Sequence, residues 1–323
     1  MAMTGAMGSG ISGMKAFMEA LNVVGNNVAN VNTYGYKAAR VTFQESIYST
    51  QSAGSGGTDL LGSTNPNQIG YGTSLGTIDL DMATQSMAST GRDLDCAIAG
   101  DGFFLLGNKA GLENAGPDSL TFSRVGNFKV DNEGYLTDGA GNIVYGFLAT
   151  GPDEDDIGGV LTPIRLPAAN ADGETIYDEV ADYEGDSITY RDFRIDANGQ
   201  ISCVNDMTGE PVVVGYIALG TVTNPAGLTH TSGPYYEIIA SAGDISIFTP
   251  GSGVTGDKDA GDEEITLLEG NETTLMTGFL EDSGTDLATE FANMILYQRG
   301  YQANTRIVTV TDAMLEELIN MKR

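Results

Sequence analysis

Residues 20–43 read ALNVVGNNVANVNTYGYKAARVTF. Valines recur there at helical spacing, yet five asparagines fall between Asn22 and Asn32. Asparagine is a poor interior helix residue, because its amide competes for nearby backbone groups. Asn22, Asn26 and Asn30 lie at i, i+4 and i+8, a polar stripe on one helix face. An amide donates and accepts without the desolvation cost of a charge. Asn22 and Asn26 are therefore read as a ladder satisfied by neighbouring subunits or a water-filled channel. Asn30 and Asn32, just before Gly35, are read as helix termination near Asn32.

Working outward, the N-terminal residues Met7, Ile11, Met14, Met18, Leu21, Gly25 and Val28 recur in steps of four and three. That spacing predicts a coiled-coil seam. Methionine makes such a seam adaptable, and Gly25 leaves room for another backbone. At the other end, Phe291, Met294, Tyr301, Val308, Leu315 and Ile319 repeat the pattern, interrupted by Gln298, Thr305 and Asp312. Ser283 or Thr285 is the expected N-cap. Asp286 and Glu290 suit the positive end of the helix dipole, and Lys322 and Arg323 the negative end. The predicted helix spans 286–321, roughly 50 Å long. The two seams are expected to pair with each other and to pack against other copies.

The middle of the chain reads differently. Short alternating runs such as LDCAIAGDGFFLLG, PVVVGYIALGTV and YYEIIASAG are strands joined by Gly, Asn and Asp turns. FKVDNEGYL at 128–136 is echoed by FRIDANGQI at 193–201, and NIVYGF at 142–147 by PVVVGYI at 211–217. This is a duplicated hairpin module with Gly134 and Gly199 supplying positive φ. The predicted fold is α+β: paired N- and C-terminal coiled-coil-like helices plus a mostly antiparallel all-β central domain. The helical domain takes 1–31 with 285–323, a connecting segment 32–70, and the β domain 71–284 with an acidic insertion at 150–187.

The chain has 323 residues and a formal net charge of −29. Residues 1–40 carry +2, residues 285–323 carry −1, and the span between them carries −30. Such a chain is repelled by nucleic acid and anionic membranes, while near-neutral ends suit packing against other copies. Two cysteines and one histidine exclude a disulfide framework and a histidine metal cluster. No run approaches the ~20 apolar residues of a membrane span. The N-terminus lacks a basic region before an apolar core, so no Sec signal is expected and the chain is either cytosolic or exported by a route that leaves it intact.

Catalytic motifs are missing. GDGFF at 100–104 lacks the lysine of a phosphate loop, and His230 sits in a turn-rich stretch. Asp131 and Asp196 only partly match a calcium loop and are read as turn formers, PDEDDIGG at 152–159 as a solvated acidic loop, and Cys203 as a small buried or half-buried strand residue. No cofactor, metal or enzymatic activity is expected.

NNVANVNTYGYKAARVTFQE resembles the signature of bacterial flagellar rod and hook proteins. GRDLDCAIAGDGFFLL at 91–106, FSRVGNFKVDNEGYL at 122–136, TNPAGL at 223–228 and the block from Gly278 to Arg323 resemble further segments of that family. Within it the terminal blocks look most like the hook protein, with the distal rod protein as alternative; the length added by 150–187 favours hook. The resemblance implies a self-assembling tube: terminal helices lining the inside, the β domain outside. It implies homopolymeric contacts, with the distal rod protein, hook cap and hook–filament junction proteins as neighbours. It also implies passage through the flagellar export apparatus, an extracellular location, and neither nucleic-acid binding nor membrane insertion.

Overall fold

The computed structural model describes residues 2–54, 56–57, 62–108, 120–148, 161–165, 190–205, 211–250 and 273–321. Two helices and antiparallel strand ladders give an α+β fold. Packing divides the chain into unit 1 (residues 1–32, 37–81 and 284–323) and unit 2 (residues 33–36 and 82–283). No described helix is long and apolar enough to cross a membrane.

In unit 1, helix α1 (Ala2–Ala29) lies antiparallel along helix α2 (Leu287–Met321). The contacts fix the register. Gly10 meets Val308, Gly13 meets Asn304, Phe17 meets Gly300 and Tyr297, and Asn27 meets Glu290. A Cβ at Gly13 would lie 2.8 Å from the Asn304 amide oxygen, and one at Gly300 would lie 2.7 Å from the Phe17 ring. Each bulky side chain therefore sits over a glycine of the opposite helix. The pairing stripe on α1 is Gly10, Gly13, Phe17, Ala20, Val24 and Asn27, all buried except half-buried Phe17. It has the expected three–four spacing, but runs one residue before the predicted seam. On α2 the contacting Glu290, Tyr297, Gly300, Asn304 and Ile307 likewise precede the predicted positions by one. Small residues win because close backbone approach gains dispersion contacts along the whole stripe.

Asn27 is the asparagine that matters to this packing. It is fully buried. Its Nδ2 donates to the Ala39 carbonyl at 2.8 Å and to Glu290 Oε1 at 2.9 Å, and its Oδ1 accepts the Ala39 N–H at 3.0 Å. The side chain thus pairs with a strand residue as another strand would, while tying α1 to α2. The Asn27 carbonyl also accepts the Thr285 hydroxyl at 3.2 Å. Asn30 Nδ2 donates to the Asn26 carbonyl at 2.9 Å and to Asn26 Oδ1 at 3.1 Å, which closes the end of α1 as expected of Asn30. The N-cap of α2 is Asp286, not Ser283 or Thr285. Its Oδ1 accepts the Ala288 N–H at 3.0 Å and its Oδ2 the Thr289 hydroxyl at 2.6 Å, while Thr285 is engaged by Asn27. Lys322 and Arg323 lie outside the described residues.

The connecting segment 32–70 contains strands at Ala39–Glu45, Tyr48–Ser52 and Asn67–Gly70. Ala39–Glu45 pairs with Thr73–Leu80, and Tyr48–Ser52 with Asn67–Gly70. Bonds from Ser46 N–H to the Gly72 carbonyl and from Tyr71 N–H to the Ile47 carbonyl join the two ladders. Threonine hid this from the sequence. Thr42 and Thr77 pair across the strands through their hydroxyls at 2.8 Å, so a polar run here is a cross-strand ladder. Phe43 from the ribbon meets Phe17 at 5.4 Å and Tyr297 at 5.8 Å, anchoring ribbon and both helices in one aromatic triangle.

Unit 2 is built on a sheet in the order Tyr190–Ile195, Gln200–Asn205, Pro211–Ile217, Ile143–Leu148, Phe103–Gly107, Thr121–Ser123, Tyr235–Glu237, Thr229–His230. The duplication is visible here. Both hairpins turn on an aspartate whose carbonyl accepts a glycine N–H, Asp131 with Gly134 (φ 84°) and Asp196 with Gly199 (φ 73°). The following strands of the two repeats then pair antiparallel, Gly146 opposite Ile217 and Leu148 opposite Gly215. The core gathers Ile98, Phe104, Leu106, Phe128, Val144, Ile217 and Phe248, with Phe104 and Phe128 edge to face at 5.0 Å. Each such side chain contributes roughly 1.5–3 kcal/mol by leaving water. Of the insertion expected at 150–187 only 161–165 is described. It is not an exposed acidic loop there: Leu161 and Ile164 are buried, and Thr162–Pro163 pairs beside Tyr145–Gly146. PDEDDIGG at 152–159 lies outside the described residues.

Three outcomes are expected. Asn27→Ala strips partners from a half-buried strand end, lowering the local opening free energy of α1 by about 3 kcal/mol in hydrogen exchange, whereas Asn22→Ala stays within about 0.5 kcal/mol. Gly300→Ala pushes a methyl into Phe17; its cost, about 1–3 kcal/mol, shrinks when Phe17→Leu is added. The Thr289 hydroxyl and then the Ala288 N–H hold the Asp286 carboxyl below its ordinary value. The folded value being the lower, this support for α2 is complete above about pH 4 and fades as pH falls through the depressed value. Asp286→Ala should therefore reduce helix content by circular dichroism at neutral pH and leave it unchanged from wild type in strong acid.

Candidate functional site

Large apolar side chains left in water are concentrated in unit 1. Of twenty such side chains among the described residues, seventeen belong to it; only Tyr34, Ile239 and Met276 belong to unit 2. Charge is distributed the opposite way. Unit 1 carries ten acids against seven bases, unit 2 thirty-four against eight. A nearly neutral module with an exposed apolar surface has the composition of an interface rather than of a solvated domain.

The predicted seam residues occupy the flanks of the helix pair. On α1, Met7, Ile11, Met14, Leu21 and Val28 are half-buried, and Met18, Asn22, Gly25 and Asn26 are exposed. On α2, Met294, Tyr301, Val308 and Leu315 are half-buried, while Phe291 and Ile319 are 49% and 69% exposed. Of these, Val308 is also placed against α1, its Cγ2 3.2 Å from where a Gly10 Cβ would be. Because α1 and α2 use the stripe one residue earlier, the predicted seam lies beside that stripe, half-buried or exposed.

Sequence reading missed further exposed apolar groups on unit 1. Leu287 and Ile295 flank Phe291 at i±4 on one side of α2, and Leu296, Ile307, Val310, Met314, Leu318 and Met321 line another. The ribbon adds Ile47, Tyr48, Ile69, Tyr71 and Ile78. The signal was present in α2, where Ile307, Val310, Met314 and Met321 recur in steps of three, four and seven. It was obscured by a second apolar repeat on the same helix.

Unit 2 offers its chemistry to its own fold. Arg124 and Glu281 are both buried, 3.8 Å apart, with Arg124 over the Phe103 ring at 5.3 Å. Burial lowers the Arg124 pKa, and Glu281 opposes that shift. Cys96 and Cys203 are buried free thiols. Burial pushes both up, Cys203 to about 11, so neither is a ready thiolate. Exposed His230 stacks edge-on against Tyr236 at 5.0 Å.

Comparison with known proteins accounts for this division. Residues 7–37 match the family model "Flagella basal body rod protein", 97–203 match "Flagellar hook protein FlgE/F/G D1 domain", and 276–321 match "Flagellar basal body rod FlgEFG protein C-terminal". The chain is 37% identical over 316 residues to the flagellar basal-body rod protein FlgG of Bacillus subtilis, covering 98% of each. It is 28% identical over 319 residues to the FlgG protein of Borreliella burgdorferi, covering 98% of each. The flagellar hook protein FlgE of Borreliella burgdorferi is 25% identical over a 461-residue alignment spanning 97% of this chain and 98% of the hook protein. An end-to-end match at 37% identity, with family models on both helices and the β unit, places the chain in the flagellar basal-body rod and hook family (FlgE/F/G), structural components of the bacterial flagellum.

Proposed function

We propose that the chain is a distal rod subunit that polymerises through unit 1 into a torque-bearing shaft. Support for rod over hook comes from the alignments. The FlgG match runs over 316 residues with 98% of each chain covered. The hook match needs 461 alignment positions to pair the two chains, so this chain lacks the extra length of that hook protein. The length argument for a hook, resting on 150–187, loses its force because a rod protein aligns end to end. The observation carrying self-assembly is the segregation described above: seventeen exposed large apolar side chains on the unit with little net charge. Such a surface stays in water only until another copy covers it. Head-to-tail contacts that do not close a ring build a helical polymer.

In this reading the seam residues Met7, Ile11, Met14, Met18, Leu21, Val28, Phe291, Met294, Tyr301, Leu315 and Ile319 contact neighbouring copies, with Asn22 and Asn26 as the polar rungs. The acidic unit 2 faces outward. The distal rod's neighbours would be the hook above and more proximal rod subunits below, and subunits would arrive through the flagellar export apparatus. Immunogold labelling of isolated hook–basal bodies should decorate the envelope-spanning shaft; label on the curved external segment overturns the rod assignment. Phe291→Asp with Ile319→Asp should abolish polymer in sedimentation while leaving the circular dichroism of unit 2 intact. Polymer yield should also rise with salt, as ions screen repulsion between neighbouring acidic units.

A further inference from the structure

Eight of the twelve methionines fall in unit 1. Among the described residues of unit 1, three methionines are open to solvent in the single chain: Met18 is 49% exposed, Met314 43% and Met321 82%. Met18 follows Phe17, whose ring packs over Gly300, so the next position along α1 is turned off the helix pair. Met314 and Met321 lie among the exposed apolar side chains of α2. Among the described residues of unit 2 one methionine is comparable, Met276, at 37%. The two cysteines are buried, so the sulfur accessible to a solution oxidant is thioether, not thiol. A thioether needs no deprotonation to react.

We propose that oxidation of Met18, Met314 and Met321 by a peroxide-class oxidant blocks self-assembly of the free subunit. The proposal rests on the reading that the exposed face of unit 1 packs against other copies. A sulfur lone pair attacks one peroxide oxygen. The S–O bond forms as the O–O bond breaks, and the second oxygen leaves as water after proton transfer. The thioether loses two electrons and hydrogen peroxide gains them. The product sulfoxide places a polar, chiral S=O on a face that must be desolvated in the polymer, where an unpartnered acceptor opposes burial. Sulfoxide formation leaves the intrachain stripe of Gly10, Gly13, Ala20, Val24 and Asn27 chemically unchanged, so the folded subunit survives but docks poorly. Once assembled, the same sulfurs are shielded. The site therefore discriminates free subunits from incorporated ones, and methionine sulfoxide reductases reverse it.

The test treats full-length protein with hydrogen peroxide, quenches with catalase, maps sulfoxides by peptide mass spectrometry and measures the critical concentration for polymer in ammonium sulfate. Oxidation of the free chain at the three positions should raise that concentration tenfold or more, and MsrA with MsrB should restore it. Leucine approximates the volume of methionine, so Met18→Leu/Met314→Leu/Met321→Leu should assemble and resist peroxide, while Met276→Leu remains as sensitive as wild type. Preformed polymer should resist sulfoxide formation at the three sites but not at Met276. Unimpaired assembly of chains oxidised at all three positions overturns the proposal. So does equal peroxide sensitivity of the triple variant, or equal labelling of the three sites in free chain and polymer. Untreated protein that forms no polymer overturns the self-assembly reading itself, and this proposal with it.

Discussion

The close approach of α1 and α2 governs the rest of unit 1. Glycine at positions 10, 13 and 300 lets Val308, Asn304 and Phe17 fill the opposite helix surface. A stripe of small residues is satisfied by backbone proximity and leaves the larger apolar groups beside it unused. A right-handed helix advances about 100° per residue, so a seam shifted by one residue turns Ile11, Met14, Met18 and Leu21 toward the flank. The exposure of Met18 and the partial exposure of the other three follow from what the chain has already paired internally. The aromatic triangle of Phe17, Phe43 and Tyr297 then fixes the ribbon to that pair, and Asn27 fixes its base.

This also explains what was legible in the sequence. Two long terminal helices, the end of α1 within about three residues of the predicted Asn32, the duplicated hairpins with Gly134 and Gly199, and a Cys203 at least half-buried could all be read from spacing and turn chemistry. The phase of the helix seam could not. Periodicity reports the three–four repeat, but two adjacent stripes of α1 share it. A rule that rewards large apolar side chains chooses methionine over glycine, although glycine permits the shorter interhelical distance. Asn27 was passed over for a related reason. Its neighbours Asn26 and Asn30 form a tidy i, i+4 series, whereas the partners of Asn27 come from Ala39 and Glu290, distant in sequence. The ribbon was missed because threonine hydroxyls paired across strands resemble loop polarity until the strands are seen side by side.

The connectivity carries an entropic consequence. The α1 residues 10–27 meet α2 residues 290–308, so helix pairing closes a loop of most of the chain. Unit 2 reduces that cost by its own folding. Met87–Ser89 pairs with Phe279–Glu281, and Cys96–Ala99 with Thr274–Thr277. The first and last strands of unit 2 are therefore neighbours before any helix pairs. What remains for α1 and α2 is a much shorter effective closure, and loop entropy grows with the logarithm of length. The order of events this favours is the β unit first, then the helices and ribbon.

The two kinds of helix surface differ in how many packings they tolerate. Phe17 over Gly300 and Asn304 over Gly13 interdigitate at distances that leave no room for an added methyl, so a slide of even one residue puts side chain against side chain. The outer face carries methionine, leucine and isoleucine, with methionine able to refill irregular gaps at small cost. The chain thus places its least adjustable contacts inside the subunit and its most adjustable ones outside. For the proposed shaft this is the favourable arrangement. Torque would deform the interfaces between copies before it disturbed the subunit, and a small change in packing at many outer contacts would distribute the strain without unseating any helix from its own partner.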